Sequence, residues 1–538
     1  MPSTQTPSPS TSNFRAQVAV LLTSILPEAI LEATLVPLYP FIVRYLLPGE
    51  HDVGYKVGLL SSAFYLPLFV TNVLWGWASD RVGRKPVLLA GLAVCALTSL
   101  LLALATTYTV VFSARLLAGL FGANSTVAKG ALGELLQGPA ARSWGYSMYG
   151  ALFGISGMLG PLIGALLSDP ATQHPDAFGE NTFLKNHPYS LPCFLGFGMS
   201  VTAIGIAVIW MVEPGRVGQS DYAQVGVDDE GGDEKGDEEG DGSNENYGEV
   251  IDDEDGEMLP MRRTKAATRS RSPRARQAGS AESPRTSSST SYSKPGPGSA
   301  GPSSSAGTRL PRHTLIAIGC YCLIASCNMF YVTSLPLYFS APPATGLALP
   351  ARDTSLAFSL LAGIKLLVQL LGCNLLVDRL GSRTTYRIGM AMMVPCNLLV
   401  PLIGLVPPTS GVGRLVAMYA LMAAFGVAEA LSYLSVILAI TESVPDPRRL
   451  GLAHGLAATC AALARTVSPA AAGAIWEWGF ALGSPWIVFA AASGLGAAGA
   501  VAGAWVATAP RGTLGTKDSG FLLEGVEDED GGSDPNLT

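Results

Sequence analysis

Glu28, Glu32, Arg115, Lys365, Glu429 and Arg465 interrupt long apolar stretches of a 538-residue chain. A charge placed in hydrocarbon is costly, so each such residue is a functional candidate by default. Glu28 and Glu32 are spaced i, i+4, which puts both carboxylates on one face of a helix. Two carboxylates crowded together in a low dielectric do not both ionise freely, so one can hold a proton near neutral pH. That is the chemistry of proton coupling, and Arg115 is the candidate counter-charge that tunes it. The plainer alternative is an ion pair between helices that only positions them. Glu429 poses the same choice later in the chain: Lys365 and Arg465 either pair with it or bind an anionic group of a substrate. Tyr39, Tyr146, Tyr149, Tyr331, Tyr338 and Tyr433 add aromatic surface with a polar handle, although tyrosine is also common where helices meet the membrane interface.

A second constellation lies between apolar runs. The stretch "GWASDRVGRKP" (76–86) gathers Gly76, Asp80, Arg81, Gly83, Arg84 and Lys85. Its glycines let helix ends approach closely. Asp80, at a helix end, can accept from the N-terminus of another helix, whose dipole favours an anion. Arg84 can pair with an acid on a third helix, and Glu134 is the candidate. Together these contacts would form a lock that holds the cytoplasmic side shut and breaks when two halves rock. A plain topology anchor would explain the bases but not the spacing. The stretch "LLVDRLGSRTTYR" (375–387) echoes the pattern with Asp378, Arg379 and Gly381, Asp378 lying 298 positions after Asp80. "GPLIG" (160–164) and "SPAAAG" (468–473) echo each other at 308 positions. Gly150, Gly154, Gly157, Gly160 and Gly164 form a stripe of small residues that permits close packing, with Pro161 to bend or swivel the helix. Ordinary helix packing would use the same contacts.

The elements that must hold these residues are membrane helices. Hydrophobic residues make up 49% of the chain and charged ones 14%. Apolar runs fall at about 18–46, 57–78, 87–108, 109–136, 145–168 and 190–212, then at about 314–340, 354–377, 386–406, 413–440, 451–475 and 485–508. Each is of the order of 20 residues or more, the length that spans a hydrocarbon core. The chain therefore reads as an all-α polytopic membrane protein of about twelve transmembrane helices in two six-helix halves. Two similar halves are the signature of a secondary transporter built from repeats. In this frame "GWASDRVGRKP" is a short loop between the second and third helices. Arg81, Arg84, Lys85, Arg142, Arg379, Arg383, Arg387, Arg448 and Arg449 fall in one set of loops, against Lys185, Arg352 and Arg414 in the other. The positive-inside rule puts the first set, and both termini, in the cytoplasm.

The expected division is a disordered cytoplasmic N-terminus (1–17), an N-terminal six-helix half (18–213), a linker (214–311), a C-terminal six-helix half (312–508) and an acidic disordered tail (509–538). The linker carries sixteen acids and one lysine across 228–257, then seven bases across 262–276. Such a segment cannot bury enough apolar surface to offset its ordering entropy. Its "RSRSPR" sets serines beside arginines, which suits a kinase; a solvated spacer is the simpler reading. The net charge of −7 resides in this segment and says nothing of a ligand. The eight cysteines show no metal or disulfide spacing, and "CYCLIASC" sits in an apolar helix, where free thiols serve as small apolar side chains. His51, His174, His187, His313 and His454 are scattered. No G-x-x-x-x-G-K-[ST] loop occurs. No enzyme constellation, metal site, cofactor or nucleic-acid partner is expected.

These motifs carry a family resemblance. "GWASDRVGRKP" matches the loop signature of the major facilitator superfamily, G-x-x-x-D-R-x-G-R-[RK]. "RLLAG" (115–119) resembles the fourth-helix pattern that supplies an arginine in its drug:proton antiporters, and "GISGMLGPLIG" (154–164) resembles their fifth-helix motif. Residues 167–194 and 450–476 resemble the fifth-to-sixth loop and the tenth-to-eleventh region of zinc-induced facilitator-like proteins and related fungal multidrug transporters. Glu28 stands where that family's first-helix glutamate stands, with Ala29 in place of the following proline. The cysteine-rich N-terminal motif of the plant members is missing. The resemblance implies a major facilitator fold with a cavity lined by the first, fourth, seventh and tenth helices. It implies a monomeric, proton-coupled antiporter that exports a small organic molecule across the plasma or vacuolar membrane. A proton-independent uniporter or importer with the same fold is the first rival, and a non-transporting receptor or scaffold the second.

Overall fold

The computed structural model describes residues 11–49, 51–136, 139–213, 310–406, 411–444, 449–484 and 486–506. Among them, twelve helices are long and apolar enough to cross a membrane. They are α1 (Arg15–Leu46), α2 (Val53–Val82), α3 (Arg84–Ala103), α4 (Tyr108–Leu135), α5 (Trp144–Leu167) and α6 (Ser190–Trp210) in the first half. The second half holds α7 (Arg312–Ser340), α8 (Ala351–Leu371), α9 (Ser382–Leu405), α10 (Val412–Ser443), α11 (Leu450–Ala481) and α12 (Trp486–Trp505). The expected acidic tail, and the linker up to residue 309 with its candidate kinase target, lie outside the described residues, as do residues 1–10.

The expected N-terminal tail (1–17) is helical from Thr11. A clamp explains the early start: Gln17 donates from Nε2 to the carbonyl of Trp210 at 2.8 Å and accepts from the amide of Val212 at 3.0 Å, which ties the first turns of α1 to the end of α6. Prolines then divide α1. It runs as Thr11–Thr23, Leu26–Leu35, a 3-10 turn at Val36–Leu38, and Tyr39–Leu46, with Pro27, Pro37 and Pro40 near the starts of the later pieces. Proline opens a helical segment readily because its missing amide donor falls where no intrahelical bond is made.

The stretch expected to be a loop between α2 and α3 shrinks to one residue. Helix α2 continues through Asp80 and Arg81 to Val82, and α3 begins at Arg84. Gly83 alone makes the turn, at φ +110° and ψ 156°. A residue with a Cβ is strained there, so glycine is required. The second half repeats the device: Gly381 stands at φ +86° and ψ 155° between a short helix, Cys373–Leu380, and α9. The sequence echo is thus an echo of backbone conformation.

Contacts between the halves run along α2 with α11 and α5 with α8. Backbones meet almost directly: a Cβ on Gly58 would lie 2.4 Å from the carbonyl oxygen of Pro469, and one on Gly473 would lie 2.2 Å from that of Gly54. Ser62 donates to the Thr466 carbonyl at 2.7 Å, Ser359 to the Met158 carbonyl at 2.9 Å, and Arg44 Nη1 to the Ser340 carbonyl at 2.5 Å. The Glu477 carboxylate accepts from the amide of Gly54, at the first turn of α2. These contacts lie from the helix middles toward the ends farthest from Gly83 and Gly381. Toward the glycine turns, Gly76 on α2, Gly150 on α5, and Gly451 and Gly455 on α11 have no atom within 4 Å of where a Cβ would stand.

Candidate functional site

Glu28 and Glu32 sit in the Leu26–Leu35 piece of α1, and both line one narrow pocket with Arg115 of α4, Phe64 of α2 and Cys95 and Thr98 of α3. The i, i+4 spacing does put them on one face, but their roles separate. Glu32 makes an ion pair with Arg115, whose side chain is 3% exposed. The Arg115 guanidinium also lies 4.5 Å from the Phe64 ring centroid, a cation–π distance. Among the described residues no salt bridge or hydrogen bond claims Glu28. The pair leaves Glu32 Oε1 and Arg115 Nε buried without a protein partner. One carboxylate of the pocket is therefore held in an ion pair and the other is not.

The second-half charges follow the pairing expectation for Lys365 alone. Lys365 pairs with Glu429, which also accepts from the Tyr331 hydroxyl; Tyr331 in turn accepts from Asn328 Nδ2 at 2.7 Å. Glu429 is 5% exposed and fully engaged. Arg465 does not join the pair. Lys365 Nζ also lies 5.3 Å from the centroid of the Tyr433 ring.

At the glycine turn, Arg84 gathers three partners. Its guanidinium pairs with Asp80 at 2.6 Å and with Glu134 at 2.6 Å, and it donates to Ser79. Arg81 stacks on Trp77, 4.0 Å from the ring. Glu213, which the sequence reading passed over, caps the N-terminus of α3 by accepting from the amides of Arg84 and, at 3.0 Å, Lys85. The helix end that attracts a carboxylate is thus that of α3, and Glu213 serves it rather than Asp80. Lys85 Nζ reaches the carbonyls of Val208 and Met211 at 3.0 and 2.7 Å. The second half again runs parallel. Arg383 donates to the Ala504 carbonyl, and Ser382 donates to Glu442 at 2.6 Å. Glu442 stands 308 positions after Glu134, the same offset as the two prolines, so the repeat itself could have pointed to it. Asp378 and Arg379 are exposed and, among the described residues, make no salt bridge.

Helix α5 presents its glycines on two sides. Gly160 packs on α1, where a Cβ would lie 2.7 Å from the Ile30 carbonyl oxygen, and Thr34 donates to the Gly160 carbonyl at 2.9 Å. Gly164 lies near Thr34 as well, whereas Gly154 and Gly157 face Leu366 and Ala362 of α8. Gly150 has no such neighbour, and Pro161 lies inside an unbroken helix.

The Major Facilitator Superfamily profile matches residues 21–341, more than half of the chain. The chain belongs to the Major Facilitator Superfamily. Its relatives include the multidrug transporter mfsB of Aspergillus fumigatus, 21% identical over 473 residues that cover 81% of this chain and 73% of that one. They also include Zinc Induced Facilitator 1 of Arabidopsis thaliana, 29% identical over 175 residues, 31% of this chain. There the chain spans only about a third, 36%, of the relative's length. The solved nucleoside transporter NupG shares the fold, with a TM-score of 0.55 and 13% identity over 92% of this chain and 99% of that one. Fold and relatives are those of multi-pass membrane transporters, not enzymes.

Proposed function

We propose that this chain is a proton-coupled antiporter that exports a small organic molecule by alternating access. The observation that carries the reading is Glu28: a carboxylate in the wall of a membrane-depth pocket, with no salt bridge of its own among the described residues, beside a Glu32 already paired with Arg115. A carboxylate retained at membrane depth without a counter-ion is best explained by proton transfer. The closed end opposite the glycine turns, with the positive-inside assignment of those turns, supports an inward-facing state. The name of the Aspergillus relative supports an organic cargo. In reconstituted vesicles, Glu28→Gln should still exchange labelled cargo between the two sides but fail to concentrate it under an imposed pH difference. Wild-type accumulation by Glu28→Gln would favour the proton-independent carrier instead.

A further inference from the structure

The Lys365–Glu429 pair has a buried member and an accessible one. Both oxygens of Glu429 are engaged: Oε1 accepts from Lys365 and Oε2 from the hydroxyl of Tyr331, which is fully buried. Asn328 donates to that hydroxyl in turn, at 2.7 Å. The carboxylate is therefore closed to a visiting molecule. Lys365 is the accessible member, with 29% of its side chain exposed. At membrane depth such a cation faces the bundle interior or a water-filled cavity rather than lipid. An ammonium has three donors. Among the described residues one of them is taken, by Glu429. The others are left for an acceptor on the accessible side.

That side is aromatic. Lys365 Nζ lies 5.3 Å from the ring centroid of Tyr433 on α10, a cation–π distance. Tyr433 stands edge to face with Tyr321 of α7, their centroids 6.1 Å and their planes 84° apart. Both tyrosines are half-buried. The ammonium and the two rings thus form one continuous strip contributed by α8, α10 and α7. Backbone packing fixes its spacing: a Cβ on Gly426 of α10 would lie 2.6 Å from the Leu361 carbonyl oxygen and 3.2 Å from the Lys365 amide nitrogen. Two rings near a right angle offer a flat ring both a face and an edge to pack on. The donors of a cation make strong hydrogen bonds to oxygen. Glu429 already balances the charge of Lys365, so the acceptor needs no charge of its own and a carbonyl oxygen suffices.

We infer that Lys365, Tyr433 and Tyr321 form a binding site for an aromatic molecule that carries a carbonyl on its ring. This rests on the carrier reading of the previous subsection and names the class of its cargo. The ring lies against the tyrosines, and the carbonyl oxygen accepts from Lys365 Nζ. Glu429, held by Tyr331, keeps that donor in place.

The test uses probes with one naphthalene body: naphthalene-2-carboxamide, naphthalene itself and 2-naphthylmethylammonium. Only the first brings a carbonyl. Binding is read on the purified full chain as thermal stabilisation across a concentration series. The carboxamide should bind about tenfold or more tightly than either of the others, the scale of a charge-assisted contact. Tyr433→Leu should weaken carboxamide binding by about tenfold, whereas Tyr433→Phe should keep it, a contrast that a general loss of fold does not give. Lys365→Met combined with Glu429→Gln removes the cation without stranding a buried charge. It should bring the carboxamide down to the affinity of naphthalene. Equal binding of the probes, no binding of the carboxamide, or carboxamide binding unchanged in Tyr433→Leu or in the double variant would overturn the proposal. If the carboxamide binds as expected but reconstituted vesicles move none of it, the site stands and the carrier reading falls.

Discussion

A buried ion pair has value chiefly because breaking it is costly. Lys365 and Glu429 illustrate this: with Tyr331 already donating to the carboxylate, loss of the lysine strands a charge that is 5% exposed. Lys365→Met should therefore destabilise the purified protein by about 3–5 kcal/mol. Adding Glu429→Gln should restore most of that, because the neutral amide keeps its bond to Tyr331. A thermal-melt double-mutant cycle measures both, and a double variant no better than the single one would show that the lysine acts some other way. Asp80 is the opposite case. Its side chain is 63% exposed, so its pair with Arg84 contributes at most about 1 kcal/mol in this conformation. Asp80→Asn should leave melting and equilibrium ligand binding almost unchanged. If Asp80 is part of a lock, the variant should nevertheless cut turnover, because the contact it loses belongs to the other conformation. Full turnover by Asp80→Asn would reduce the residue to a topology anchor. The partnership of Arg84 with Glu134 was legible from the sequence, since both close apolar runs on the same side. Glu213 was not: it is 129 residues from Arg84, and a lone acid at a run's end has no pattern that names its partner.

Helices α2 and α11 face each other in opposite senses, and each end of α2 carries its own device. At one end the Glu477 carboxylate of α11 sits on the N-terminal amides of α2, where the helix dipole favours an anion. Gly54, Gly58 and Gly473 allow the backbones to meet around it. At the other end, Asp80 closes α2 with no atom near Gly76. Exchange between conformations has to break the first contact. Glu477→Gln keeps the acceptor but drops the charge, and Gly58→Leu drives a side chain into the Pro469 carbonyl. Both should shift the population away from this conformation. Labelling of a Ser62→Cys reporter between the helices should then rise several-fold, measured with a water-soluble maleimide from the side opposite the glycine turns. An unchanged labelling rate in Gly58→Leu would mean the interface is not what holds that end. Hydropathy alone located the twelve helices but misjudged their ends here. It scores apolarity, and a last helical turn such as Ser79-Asp80-Arg81-Val82 is helical and polar at once. The breaks within α1 and the single-residue turn at Gly83 depend on backbone geometry that no apolar window senses.

The charges of the whole molecule set the sign of coupling. Glu32 is held by Arg115 and Glu429 by Lys365, and Glu28 is left with no ion pair among the described residues. Glu32, Arg115 and Cys95 line the same pocket as Glu28, and Glu32 and Arg115 hold each other as an ion pair. Where protonation of Glu28 and binding of the cargo favour each other, linkage makes the preference reciprocal. Mutual attraction of that kind drives proton and cargo in the same direction, whereas exchange requires that each displace the other. Affinity against pH decides between co-transport and the antiport proposed above. For co-transport, cargo affinity of the wild type should rise as pH falls through the titration of Glu28. Glu28→Gln, permanently neutral, should bind at the low-pH affinity at every pH. For antiport, wild-type affinity should fall as pH falls, and Glu28→Gln should bind weakly throughout. A flat profile in the wild type, matched by Glu28→Gln, would remove Glu28 from coupling altogether and leave a proton-independent carrier.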